Sequence, residues 1–157
     1  MMIKAILTLI LTSLIALSSF AESFKPDDII GFWLTKEERG VIQIFKEKGK
    51  YKGKLVWLVD IQTGKKKNPL DDHNPEVNLR SKPLLNMINM YGFHFEDNEW
   101  VGGHIYDPKS GKLYSAKIEL KDKNHLNLRG YVGIPLFGKT SSWTRQSGVT
   151  PARWLKK

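Results

Sequence analysis

From residue 32 onward, hydrophobic positions recur at every second residue, in short runs separated by turns rich in glycine, asparagine and aspartate. This period marks strands with one apolar and one wet face. Eight runs qualify: Phe32 to Thr35, Val41 to Lys46, Tyr51 to Val59, Met87 to Phe95, Trp100 to Asp107, Leu113 to Leu120, His125 to Val132 and Gly138 to Arg145. In the sixth, Tyr114, Ala116, Ile118 and Leu120 share one face and Ser115, Lys117 and Glu119 the other. In the seventh, Leu126, Leu128, Gly130 and Val132 oppose Asn127, Arg129 and Tyr131, and the third sets Tyr51, Gly53, Leu55 and Trp57 against Lys50, Lys52 and Lys54.

The connections are mostly tight. Asp107-Pro108-Lys109-Ser110-Gly111 puts proline where φ near −65° is wanted and glycine where φ is positive, and Glu47-Lys48-Gly49, Asp97-Asn98 and Asp122-Lys123-Asn124 are comparably short. Strands joined this way form a meander, and eight of them closing on themselves leave no exposed edge and enclose room for one small ligand. The predicted fold is therefore all-β, an eight-stranded antiparallel up-and-down barrel, with a Greek-key sandwich as the alternative. Pairing through Asp97-Asn98 sets Phe95 opposite Trp100, His94 opposite Val101 and Tyr91 opposite His104, which predicts that the two histidines face opposite sides of the sheet.

One connection is long. Asp60 to Asn86 contains Pro69, Pro75 and Pro83, the basic run Lys65-Lys66-Lys67 and the polar cluster Asp71-Asp72-His73-Asn74. Loops of this length usually have a task or structure of their own. Asn74, Pro75 and Glu76 supply a cap, a first-position proline and an acid near the positive dipole end, so Pro75 to Arg80 is expected to form one or two helical turns covering an end of the barrel.

The N-terminus sets the expected compartment. A basic start at Met1 to Lys4, an apolar stretch from Ala5 to Leu17 and the small-x-small site Ser19-Phe20-Ala21 read as a secretory signal over residues 1–21, too short to span a bilayer. The barrel domain then occupies residues 22–145 and a basic extension residues 146–157. The chain has no cysteine, which excludes a lipid-modified cysteine, disulfides and thiolate metal sites. Export makes the product a free periplasmic or secreted protein. The formal charge is +9, and cleavage would remove only Lys4. A surface this basic attracts anionic partners through forces that salt screens. Nucleic acid is a poor candidate for an exported chain, whereas an anionic membrane surface or an acidic glycan is a reasonable one.

Gly31-Phe32-Trp33 opens the first strand and Trp143-Thr144-Arg145 closes the last, so a guanidinium and an indole meet where the barrel would shut. This pairing resembles the lipocalin arrangement, in which an arginine stacks over the first-strand tryptophan at the closed end of a ligand-binding barrel. Together with Asn74-Pro75 through Leu79-Arg80-Ser81-Lys82-Pro83-Leu84, Trp100 to Pro108 with Gly111, Lys112 and Tyr114, and Leu128 to Gly133 with Gly138, these segments resemble the exported bacterial family designated domain of unknown function 2147. The resemblance runs over residues 29–145 and implies a lipocalin-like barrel of the calycin group, with no established catalytic residues. Asn86 stands where that pattern leads one to expect glycine, consistent with asparagine's tolerance of the left-handed region. Residues 146–157 have no role that the resemblance assigns.

An acid-base or metal site built from Asp71, Asp72 and His73, with His94, His104 or His125, is the enzymatic alternative. The cluster lacks the spacing of an oxygen-ligand calcium loop, reads as a solvated turn with a helix cap, and is accompanied by no nucleophile motif, dinucleotide fingerprint or phosphate loop. No catalytic residue, metal or cofactor is expected. The working expectation is a carrier that holds a small, largely apolar or amphipathic molecule, fatty-acid-like and anionic in one version, against Tyr51, Leu55, Trp57, Tyr114, Ile118, Leu126 and Leu128. Gly31, Trp33, Asn74, Pro75, Trp143 and Arg145 are expected to be structural. The same inward pattern equally describes a filled core, which leads to the second expectation, a non-enzymatic surface-binding or inhibitory module that engages an anionic macromolecule through its basic exterior.

Overall fold

A computed structural model describes residues 23–155 apart from 61, 63, 64, 66 and 67. The expected signal segment, most of the Lys65-Lys66-Lys67 run and the last two lysines lie outside the described residues. The strands are β1 (Gly31–Leu34), β2 (Gly40–Glu47), β3 (Lys50–Leu58), β4 (Ile88–Glu96), β5 (Glu99–Asp107), β6 (Lys112–Asp122), β7 (His125–Tyr131) and β8 (Lys139–Gln146). Each pairs antiparallel with its sequence neighbours, and β1 pairs with β8, giving a closed up-and-down barrel. The meander expected from the turns is the meander observed, and the sandwich is excluded.

Three two-residue hairpins gather at one end. Lys48 and Gly49, and Asp97 and Asn98, all have positive φ, the conformation that matches the right-handed twist of flanking strands. A segment preceding β1 seals this end. Its 3-10 helix, Pro26–Ile29, accepts a hydrogen bond from the Trp100 indole at the Pro26 carbonyl (3.0 Å) and one from the Trp33 indole at the Ile29 carbonyl (2.9 Å). Phe24 and Ile29 are buried in the core, and the Phe24 amide donates to the Asn98 side chain. The periodic pattern began at residue 32 and gave no sign of this plug.

The closing pair is formed as expected. Trp33 and Arg145 are cross-strand partners, and the guanidinium carbon lies 4.1 Å from the indole centroid. Arg145 donates to the carbonyls of Lys123, Ile30 and Asp28, at 2.6, 2.9 and 2.5 Å, tying the first strand, the plug and the β6–β7 turn together. Gly31 has φ of 144°, and a Cβ there would sit 2.7 Å from an Arg145 nitrogen, so both conformation and space call for glycine.

Above the plug the interior is packed with Trp33, Ile44, Tyr51, Met90, Phe93, Trp100, Ile118 and Leu126, each at most 3% exposed. Two interruptions of the strand period correct the sequence reading. β3 carries a bulge: Val41 pairs with Trp57 while Ile42 pairs with Leu55, leaving Val56 extra. Leu55 and Leu58 therefore face the interior, whereas Trp57 turns outward into a separate cluster with Leu34, Val41 and Val59. In β4 and β5 the expected pairings are found, yet Gly92 and Gly102 adopt positive φ and break the alternation. His94 and His104 consequently both lie on the outer face, not on opposite faces. They sit three ladder positions apart, about 10 Å along the strand.

The long loop has its own small ladder, a Leu70–Pro83 bridge with bonds from the Asp71 amide to the Lys82 carbonyl and from the Leu84 amide to the Pro69 carbonyl. The expected helix reduces to a single 3-10 turn, Val77–Leu79, whose cap position is Glu76. Asn74 is spent elsewhere: its side chain accepts from the Glu76 amide and donates to Asp71 (2.6 Å), and Pro75 is exposed. Asp72 and His73 are solvated, but Asp71 is buried and also accepts from the Tyr106 hydroxyl (2.7 Å). Burial, and then that bond, push the Tyr106 hydroxyl up to about 12. These contacts fasten the loop to β5 and set Leu84 against the core. Asn86, at φ 70°, takes the left-handed conformation expected of it.

The C-terminal extension folds back over the outer cluster. Pro151 is buried, and Trp154 packs on Trp57 with ring centroids 5.9 Å apart. The outward-turned Trp57 and the extension thus explain each other.

Candidate ligand cavity

The barrel is solid in its closed half and hollow in its open half. The β1–β2 loop, the long loop and the β5–β6 turn border a cavity of about 290 Å³, near the lower bound of the roughly 300–1,000 Å³ typical of small-ligand sites. Its wall is apolar: Ile42 from β2, Leu55 and Leu58 from β3, Ile105 from β5, Leu128 from β7 and Trp143 from β8, with Leu84 leaning in from the long loop. Alternation turns Ile42, Leu128 and Trp143 inward, and the β3 bulge turns both Leu55 and Leu58 inward.

Apart from the charges at the rim, four polar side chains line this wall: Thr35, Tyr106, whose hydroxyl is held by Asp71, Ser141 and Asn89. Ser141 is engaged, accepting from the Trp143 indole at 2.9 Å. Asn89 on β4 is 8% exposed; its amide nitrogen makes one long bond of 3.4 Å to the Tyr106 carbonyl, and its side-chain oxygen has no hydrogen-bond partner among the described residues. A buried acceptor in that condition is costly, and a donor that reaches it gains accordingly. At the rim stand Glu37, Arg39, Asp107 and Lys109. Asp107 is already committed to its own turn, accepting from the Lys109 amide and the Ser110 hydroxyl.

A second space of about 490 Å³ adjoins the cavity beneath the β7–β8 loop. It shares Asp107, Leu128 and Ser141 with the first and adds Tyr114, Tyr131, Val132 and Phe137, so the two open at one mouth. An elongated molecule could lie in both.

The seven residues expected to line a site are distributed over four environments. Leu55 and Leu128 line the cavity, and Leu128 and Tyr114 the adjoining space. Ile118, Leu126 and Tyr51 belong to the packed half; the Tyr51 hydroxyl donates to Asp27 at 2.5 Å, and burial and that carboxylate raise its pKa. Trp57 is outside the barrel. Trp143, expected to be purely structural, is part of the cavity wall, and Asn89 was not anticipated at all, since a lone asparagine in an alternating strand carries no sequence signal. No group of three or more His, Cys, Asp or Glu side chains that could hold a metal occurs among the described residues.

Comparison with known proteins agrees with this architecture. A solved structure of a protein from the human pathogen Helicobacter pylori, described as belonging to the lipocalin family, superposes with a TM-score of 0.67 at 22% identity, covering 80% of this chain and 85% of that one. The likeness shows the lipocalin-like fold. No curated protein matches the sequence. The family model described as an uncharacterized protein conserved in bacteria, DUF2147, matches residues 31–145, from the glycine that opens β1 to the arginine that closes the barrel, and the chain belongs to that family.

Proposed function

We propose that the protein is an exported, non-catalytic carrier of a small, largely apolar ligand held in the open half of the barrel. The observation that carries this reading is the cavity, apolar over most of its wall and provided with one buried, unsatisfied acceptor at Asn89. The apolar body of a ligand would lie against Ile42, Leu55, Leu128 and Trp143, a hydroxyl or amide donor would answer Asn89, and an acidic head, as on a fatty-acid-like chain, would sit at the rim near Arg39 and Lys109. The cavity volume suits a short chain, or the end of a longer one whose remainder follows the adjoining space.

The test combines native mass spectrometry of the purified protein with displacement of the fluorescent probe N-phenyl-1-naphthylamine by acyl chains of graded length. Saturable binding is expected, weakened about tenfold or more, equivalent to about 1.4 kcal/mol, by Leu128→Trp, which fills the cavity. Trp57→Phe, on the outer face, should leave binding unchanged. Absence of saturable binding by the intact protein, or indifference to Leu128→Trp in a variant that still folds, would overturn the proposal.

A further inference from the structure

The β7–β8 loop breaks the rule that large apolar side chains are covered. Val132, Ile134, Leu136 and Phe137 are 73, 53, 75 and 78% exposed and follow one another within six residues at the open rim. Clusters of this kind on a soluble surface mark interaction sites. This loop is tied down by hydrogen bonds along its length. Arg129 donates through all three of its side-chain nitrogens, to the Pro135 carbonyl (2.7 Å), the Leu136 carbonyl (3.0 Å) and the Thr140 hydroxyl (2.8 Å). The 3-10 turn Pro135–Phe137 adds bonds from the Phe137 amide to the Ile134 carbonyl and from the Gly138 amide to the Pro135 carbonyl. A Cβ at Gly138 would stand 2.7 Å from the Gly130 carbonyl oxygen, so the loop closes tightly on β7. The backbone is tied to β7 and β8 while these side chains stay largely exposed, Leu136 beside Arg129 and Thr140 on the outer wall and Val132 and Phe137 at the space beneath the loop.

The flanking charge selects the partner. Lys139 begins β8, and Lys109 and Lys112 stand on the neighbouring β5–β6 hairpin at the same end; all three are exposed. Asp107 has its carboxylate turned into its own hairpin. An apolar tip bordered by lysines matches the interface of an anionic bilayer, where apolar groups enter the headgroup boundary and basic groups meet the lipid phosphates. A second copy of this chain, itself with a formal charge of +9, would match the apolar tip but repel the lysines.

We propose that the β7–β8 loop is a preformed anchor that seats the open rim of the barrel on an anionic phospholipid surface, with Leu136 and Phe137 entering the headgroup layer and Lys109, Lys112 and Lys139 on the phosphates. Because Val132 and Phe137 also line the space that joins the cavity, docking would bring the barrel mouth to the lipid. The anchor does not depend on the cavity being occupied.

The test is flotation with vesicles of phosphatidylcholine alone or with about a third phosphatidylglycerol, an anionic lipid whose negative surface potential attracts basic residues. The protein is used in the form the producing cell leaves it, with its N-terminus read by mass spectrometry. Binding to the anionic vesicles is expected and should weaken as salt rises from low to physiological strength. Leu136→Asp with Phe137→Asp, both at solvent-exposed positions, should reduce it about tenfold or more at unchanged melting temperature, and Lys109→Gln with Lys139→Gln should remove the preference for phosphatidylglycerol. The chain has no cysteine, so a dye on Leu136→Cys reports the loop alone and should shift to the blue on vesicles. Failure of the protein to bind either vesicle, or binding that ignores the Leu136 and Phe137 substitutions, would overturn the anchor. So would a concentration-dependent dimer abolished by those substitutions without vesicle binding, which would assign the loop to self-association.

Discussion

Replacing Arg145 by alanine tests how the barrel is held shut. The guanidinium makes three hydrogen bonds to main-chain carbonyls and lies flat on Trp33. Bonds from a charged donor are worth about 1.5–3 kcal/mol each where fully enclosed, but these carbonyls can be rehydrated once the side chain is gone, so about 0.5–1 kcal/mol each is the appropriate scale. The stack adds about 0.5–2 kcal/mol. The sum is about 3 kcal/mol, which for a domain of this size corresponds to a melting temperature lower by about 10 °C. Arg145→Lys should recover less than half, since an ammonium can reach one of the three carbonyls and has no flat face for the indole. Denaturant titrations of both variants, combined with Trp33→Leu in a double-mutant cycle, isolate the stack as a coupling of about 1 kcal/mol. Ligand binding should not change, because the cavity lies at the other end. An Arg145→Ala protein that melts within about 2 °C of the parent, or full rescue by lysine, would refute the reasoning.

Asp27 provides a pH test at the same end. The Tyr51 hydroxyl first, and then the Lys46 ammonium, hold its carboxyl below the ordinary aspartate value. The native state therefore binds fewer protons than the unfolded chain; the stabilisation is present above the unfolded value near pH 4 and is lost as pH falls through the lowered native value. The gap in urea midpoint between the parent and Asp27→Asn should accordingly shrink between pH 7 and pH 3, and a constant gap would rule out this linkage. Ending the chain after Gln146 should lower stability by about 1–3 kcal/mol by uncovering Trp57 and its neighbours, and a truncated chain with an unchanged denaturation midpoint would show that the extension rests on the barrel without supporting it.

The strands were legible because alternation and turn chemistry act locally: Lys48-Gly49 and Asp97-Asn98 specify their hairpins without reference to the rest of the chain. The closing pair was legible for a topological reason, since an eight-strand circuit sets β1 beside β8 and with it Trp33 beside Arg145. Errors arose where one residue interrupts the period. The extra Val56 sends Trp57 outward although it is spaced correctly from Leu55, and Gly92 and Gly102 place His94 and His104 on one face although their pairing was anticipated. The plug was missed because four residues of 3-10 helix show no periodicity. The division of the interior was beyond reach for a different reason: Leu126 in the packed half and Leu128 in the cavity wall occupy equivalent positions on one strand, and only the depth of each within the barrel separates them.

The two ends also differ in how far they obey the ordinary rules of a stable fold. At the closed end the indoles of Trp33 and Trp100, the hydroxyl of Tyr51 and the guanidinium of Arg145 are all hydrogen-bonded, and the apolar groups between them are covered. At the open end stand the buried unsatisfied oxygen of Asn89 and the exposed Leu136 and Phe137, the latter pair held in place by an arginine that could have served elsewhere. Departures from local consistency concentrate where a protein has a use for them. Selection for stability and solubility alone would have repaired each with one substitution, Asn89 to an aliphatic residue and Leu136 or Phe137 to a polar one. Asn89→Leu should therefore raise the urea midpoint while weakening displacement of the fluorescent probe, and polar residues at 136 and 137 should leave the melting temperature unchanged while raising solubility and weakening vesicle flotation.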